Sequence, residues 1–197
     1  MAKRLMDLLG AGLGLLLLAP LLLPIALLIK LDSPGPVFYR QVRVGRHGRE
    51  FRIHKFRTMR AAPAGAGPQI TVGADPRITR TGAWLRHSKL DELAQLIDVF
   101  TGDMSLVGPR PEVPKYVALY PAELRDKVLS VRPGITDIAS IEYRHESRLL
   151  GESADPEHTY VHEVLPAKLA LQARYVDQAG LFTDVALIAR TLRALFR

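Results

Sequence analysis

Cysteine is absent from the 197 residues. That excludes a disulfide framework, a thiolate zinc site, an iron–sulfur cluster and a cysteine nucleophile. Aromatic residues make up only 7% of the chain, with a single tryptophan. There is no Walker-type P-loop element and no GxGxxG turn, so neither an ordinary P-loop nor a Rossmann site is supported. The six histidines show no metal spacing. His158 and His162 stand four apart without a third ligand, so a zinc site is not expected. Low hydrophobicity is missing too: 48% of residues are apolar, which excludes disorder for most of the chain. The length suits one ordinary domain.

Charge is absent from residues 8–29 (LLGAGLGLLLLAPLLLPIALLI) and crowded into residues 40–60 (RQVRVGRHGREFRIHKFRTMR). The second window holds eight Lys or Arg against Glu50, and its balance of +7 equals that of the whole protein. The rest of the chain is near neutral.

At about 1.5 Å per residue, the uncharged run reaches about 33 Å as a helix, enough for a bilayer core. A cleaved signal peptide fits poorly, because Asp7 interrupts the approach and no small-x-small site follows. A straight spanning helix fits poorly as well. Pro20 and Pro24 each remove a backbone donor, and basic residues flank both ends, which the positive-inside rule places on one side. The favoured expectation is a re-entrant helix–break–helix over residues 1–36, bent near Pro20. Residues 37–197 would form a membrane-associated domain on the cytosolic side.

Residues 36–60 read as a short β-hairpin. Val37, Tyr39 and Gln41 alternate with Phe38, Arg40 and Val42, and Gly45–Gly48 supplies the turn. Its positive charge suits anionic lipid headgroups or the phosphates of a substrate. Nucleic acid is the weaker partner, as no nucleic-acid-binding signature accompanies the charge.

Residues 61–76 are rich in Ala, Gly and Pro and read as a flexible loop. Ser88 then stands where a helix N-cap should, with Asp91 three residues on, as in a capping box. Leu90, Leu93, Leu96, Ile97 and Phe100 recur at helical spacing, and Gly102 suits the C′ position. Asp91 can therefore be a structural cap and Glu92 an exposed first-turn acid. Against that, Arg77, Arg80, Arg86, Lys89 and Arg110 surround the pair in sequence. Such a cluster can hold an anionic substrate, and its carboxylate a divalent cation or a nucleophilic role. Asp98 and Asp103 read as surface or turn acids. Pro121 opens a helix, VRPGIT reads as a turn, and Pro166 breaks or restarts the helical stretch around it. Leu181–Arg197 is amphipathic, suited to a membrane interface or to the domain core. The fold class is α+β, mainly α.

Taken together, KRLMDLLGA at 3–11, Pro20, HKFRTM at 54–59, the block at 75–111 and RPGIT at 132–136 resemble the bacterial sugar transferase family, the monotopic polyprenyl-phosphate phosphoglycosyl transferases. The chain looks like the minimal catalytic form. The resemblance implies transfer of a sugar 1-phosphate from a UDP-sugar to a polyprenyl phosphate at the cytoplasmic face of the bacterial inner membrane, releasing UMP. It implies Asp91 as nucleophile and metal ligand, Glu92 as its dyad partner, and Mg2+ as cofactor. Lys55, Arg57, Arg77, Arg80, Arg86 and Arg110 become candidate phosphate contacts, and a homo-oligomer is compatible with the reading. The alternative is a non-enzymatic, membrane-anchored module binding anionic lipid or nucleic acid. Two departures stand out. Ala19-Pro20 replaces the Ser-Pro often found at the membrane break. Asp137-Ile138-Ala139-Ser140 replaces the more usual Gly-Leu-Ala-Gln after RPGIT, in a stretch expected near the nucleotide or sugar.

Overall fold

Helix α1 runs from Ala2 to Asp32, with Pro20 and Pro24 inside it. The computed structural model describes residues 1–60 and 75–195, so most of the expected loop at 61–76 lies outside the described residues. Where the sequence predicts two helical halves around Pro20, the backbone forms one helical element through both prolines. A proline removes a single ladder bond, and the neighbouring turns keep theirs.

α1 rests on the remainder of the chain at two places. Near its start, Asp7 and Ala11 are buried, and Gly10, Gly12 and Gly14 lie against Leu106, Phe100 and Leu96. Near its end, Ile25 and Ile29 join Phe56, Leu85 and Ala94 in a core cluster. Its other face exposes Leu9, Leu13, Leu16, Leu17, Leu23, Leu27 and Leu31.

The predicted hairpin is present but interrupted. β1 (Phe38–Tyr39) pairs antiparallel with β4 (Lys55–Phe56), and β2 (Val42–Val44) with β3 (Glu50–Arg52). His47 and Gly48 take positive φ at the tip, which lets the chain reverse tightly.

The largest local difference from the sequence reading falls at Ser88. Thr79 caps α2 (Arg80–His87) by accepting a hydrogen bond from the Gly82 amide at 3.0 Å. Ser88 therefore ends a helix instead of starting one, and its hydroxyl donates back to the Trp84 carbonyl at 2.9 Å. Lys89 turns through the left-handed region at φ 57°, a short 3-10 run follows over Leu90–Gln95, and α3 (Leu96–Thr101) continues it. Gly102 closes α3 in the left-handed region, as its position predicts.

The RPGIT segment is not simply a turn. β6 (Gly134–Thr136) pairs in parallel with β5 (Ser105–Val107). A side chain at Gly134 would put its Cβ 2.1 Å from the Gly108 nitrogen, so only glycine permits this crossing.

The rest is helical: α4 (Pro114–Val117), α5 (Ala122–Val128), α6 (Ile138–Glu142), α7 (Glu146–Gly151), α8 (Pro156–Thr159), α9 (Leu165–Gln178) and α10 (Leu181–Leu195). α5 starts one residue after Pro121, which sits at its N-cap. A π turn at Tyr160–Val164 precedes α9, whose first turn contains Pro166. The proline restarts the helix, and the Leu165 amide bonds to the Tyr160 carbonyl five residues back. Tyr116, Tyr120, Tyr160, Leu165 and Leu169 form the main core among these helices. The chain is mainly helical α+β, with one long apolar helix and three two-stranded sheets among the described residues.

Candidate active site

The left-handed kink at Lys89 aims the following 3-10 turn at β4. Asp91, only 2% exposed, comes to face Lys55, whose Nζ lies 2.9 Å from Asp91 Oδ2 and donates to Glu92 Oε1 at 3.3 Å. Arg110, in the segment after β5, clasps Glu92 in a bidentate pair, with one bond of 3.1 Å to Oε2 and a second to Oε1. Asp137 holds that segment, accepting from the Arg110 amide at 3.2 Å and from the Ser140 amide at 2.6 Å. The stretch expected near nucleotide or sugar thus begins with a fully buried acid that caps α6 and braces Arg110.

The two carboxylates differ in what they can do. Burial alone would raise the Glu92 carboxyl, but Arg110 and Lys55 outweigh it and hold the group well below the usual carboxylate range. Glu92 raises the Arg110 guanidinium in turn. Both Glu92 oxygens are occupied. Asp91 Oδ1 is buried and has no hydrogen-bond partner. An unpartnered buried acceptor costs about 1–3 kcal/mol, and among the described residues Asp91 Oδ1 shares this state with Arg43 Nε and Ser140 Oγ. The arrangement leaves one buried, unpartnered carboxylate oxygen beside a cluster of cations.

Of the predicted phosphate contacts, Lys55 and Arg110 meet the dyad. Arg86 donates to Thr58 Oγ1 at 2.8 Å, and burial lowers its guanidinium against the attraction of Asp91. The other three are elsewhere. Arg80 is exposed at the start of α2. Arg77 is engaged by Asp75 through bonds of 2.9 and 3.1 Å, and that pairing holds the Asp75 carboxyl down at about 2. Arg57, 5% exposed, donates to Ile29 O, Ser33 Oγ, Ser33 O, Pro34 O and Pro36 O. Those bonds satisfy the end of α1 and the turn after it, leaving no donor for a phosphate.

The basic window is therefore not one patch. Arg43 donates to Pro111 O and to Glu112, Arg46 donates to Ser130 O, and Arg57 closes α1.

Asp98 corrects the sequence reading. Instead of a surface acid it is 1% exposed, accepting from the His54 amide at 2.8 Å and pairing with His54 Nδ1 at 2.6 Å. Burial raises its carboxyl against both bonds. Asp7 is likewise buried, accepting from Ser105 Oγ and the Leu106 amide at 3.0 Å each. Asp7 had a signal in the sequence, a lone acid at the edge of an apolar run. Asp98 had none, since its partner lies 44 residues away. His158 and His162 stack at 4.2 Å between centroids, and no cluster of three or more metal-ligating side chains occurs among the described residues.

The site is thus a buried carboxylate with one unpartnered oxygen, flanked by lysine and arginine. The bacterial sugar transferase family profile matches residues 1–197, and the chain belongs to that family. It is 38% identical over 195 residues to an Aeromonas hydrophila UDP-N-acetylgalactosamine-undecaprenyl-phosphate N-acetylgalactosaminephosphotransferase, covering 98% of this chain and 43% of that protein. It is 37% identical over 195 residues to a Caulobacter vibrioides UDP-glucose:undecaprenyl-phosphate glucose-1-phosphate transferase, covering 98% and 69%. It is 35% identical over 193 residues to the Escherichia coli (strain K12) protein of that same description, covering 96% and 39%. The chain thus spans less than half of two of these three relatives.

Proposed function

We propose that this chain transfers a sugar 1-phosphate from a UDP-sugar to a polyprenyl phosphate and releases UMP. The observation that carries the proposal is the free, buried Oδ1 of Asp91. In the first half-reaction Asp91 Oδ1 bonds to the β-phosphorus, and the bond from that phosphorus to the bridging oxygen breaks, releasing UMP. In the second, an oxygen of the polyprenyl phosphate bonds to the same phosphorus, and the Asp91 carboxylate leaves. Lys55 holds Oδ2 and turns Oδ1 toward the substrate. Arg110 and Arg86 supply charge for the diphosphate, and Glu92 fixes the Arg110 fork.

The donors suit Mg2+. With Oδ1 as the nucleophile, Asp91 Oδ2, paired with Lys55, keeps a second lone pair with which it would hold the ion. Magnesium is commonly held by one or two carboxylates and the substrate's phosphates, without a dedicated protein cage. The ion would supply charge neutralisation on the diphosphate.

The placement proposed is the cytoplasmic face of the bacterial inner membrane, with residues 1–36 re-entrant and residues 37–197 on one side. Asp7 and Ile29, 22 residues apart, lie about 33 Å apart along a straight helix, yet both are buried against the same domain. A helix crossing the core of about 30 Å would part those contacts. α10 supports an interfacial position, with Phe182 94% exposed beside exposed Leu181, Val185 and Leu192.

The test supplies UDP-sugars, Mg2+ and the purified chain in lipid, first without polyprenyl phosphate. About one UMP per chain is expected at once, and turnover only after the lipid is added. Asp91→Asn is expected to abolish both while leaving membrane association intact. Retained activity in that variant would remove the nucleophile assignment.

A further inference from the structure

We propose that Asp98, acting through His54, is a positioning residue that fixes Lys55 against Asp91 and so decides which Asp91 oxygen is left free. The proposal rests on Asp91 being the nucleophile. Lys55 is the cation on Asp91, and its long side chain is rooted in β4, a strand of two residues whose partner β1 is equally short. A two-stranded ladder of that length is marginal by itself. Asp98 adds the missing restraint. Its two oxygens take the backbone N–H and the ring of His54, the residue before Lys55. Asp91 and Asp98 are seven residues apart in the helical run Leu90–Thr101, about two turns. Residues 54 and 55 are thereby tied to one element, Lys55 to the nucleophile and His54 to Asp98.

The chemistry of the contact is defined by its outer neighbour. Arg40 Nη1 lies 2.6 Å from His54 Nε2. A guanidinium only donates, so Nε2 accepts, Nδ1 carries the proton, and the ring donates to Asp98. Arg40 Nη2 also donates to Arg52 O at 2.8 Å, and Phe38 meets the His54 ring edge-on at 5.7 Å. The end of α3 does not depend on the Asp98 carboxylate. The Asp98 carbonyl, not the side chain, accepts from the Gly102 and Met104 amides.

The experiment is a double-mutant cycle on single-turnover UMP release. Asp98→Asn keeps the volume but cannot accept both bonds. It is expected to slow release about tenfold, since small misplacements at reacting groups cost this much or more, with the KM for UDP-sugar moving less than about twofold. In a Lys55→Ala background the same substitution is expected to cost less than about twofold, because its effect runs through Lys55. An equal loss in both backgrounds, or a change in KM alone, overturns the proposal. His54→Gln, which keeps the backbone bond to Asp98, should show a smaller loss with the same dependence on Lys55, and it carries the cycle if Asp98→Asn does not fold. Nuclear magnetic resonance separates this proposal from the activity itself. If the unaltered protein releases no UMP from any UDP-sugar, the proposed activity fails. The positioning role is then judged by the Lys55 Nζ resonance, expected to move in Asp98→Asn and refuting the role if it stays in place.

Discussion

Replacing Arg57 separates a structural cation from a substrate-binding one. Its guanidinium makes five hydrogen bonds, four of them to carbonyls at or just after the end of α1. At about 1 kcal/mol net for each bond, and with some carbonyls regaining water, Arg57→Ala should cost about 4 kcal/mol. For a chain of this length that lowers Tm by about 8–16 °C. Arg57→Lys should recover less than half, because an ammonium cannot reproduce the planar fork that reaches four residues at once. The assay is thermal unfolding of the purified protein in lipid nanodiscs, paired with the KM for UDP-sugar measured well below the lowered Tm. KM should change less than about twofold, since no donor of Arg57 faces the dyad. A Tm within about 2 °C of the original, together with a tenfold rise in KM, would refute the reasoning and return Arg57 to phosphate binding.

Glu92→Gln tests the electrostatics of the dyad. The Glu92 carboxyl is depressed in the folded state, so its contribution to stability is complete above its unfolded value of about 4.3 and is lost as pH falls through the lower folded value. The stability gap between the two proteins should be flat from about pH 5 to 8 and should close on further acidification. A gap that widens in acid would contradict the assignment. Topology has its own readout: with no native cysteine, cysteines placed at exposed positions 2 and 34 should react with an impermeant reagent from the same side of sealed vesicles, and opposite sides would favour a spanning helix.

Local patterns carried much of the architecture. The apolar run, the turn at Gly45–Gly48, the C′ glycine at 102 and the restart at Pro166 each depend on residues within a few positions of one another, and each appears where the spacing puts it. The start of the Asp91 helix did not follow, because a serine three residues before an acid serves either end of a helix. Thr79 had already begun α2, and that helix reached Ser88. β5 and β6 were hidden for another reason. A parallel pair joins distant segments, and the glycines that allow it read locally as a turn.

By itself the sequence determined an apolar helix beside a basic hairpin and a carboxylate pair in a recognisable block, because periodicity, capping and motif spacing are written in neighbouring residues. The tertiary structure decided which charges face which. Of eight basic residues in one window, Lys55 reaches the carboxylate pair, Arg57 closes a helix, and Arg43 braces the segment of Arg110. Asp98, read locally as a surface acid, becomes the buried partner of His54, the residue before Lys55. The physical reason is that an arginine or aspartate has the same local signature wherever it lies. Its role is set by the donor or acceptor that long-range packing brings within about 3 Å, and by the water that packing removes.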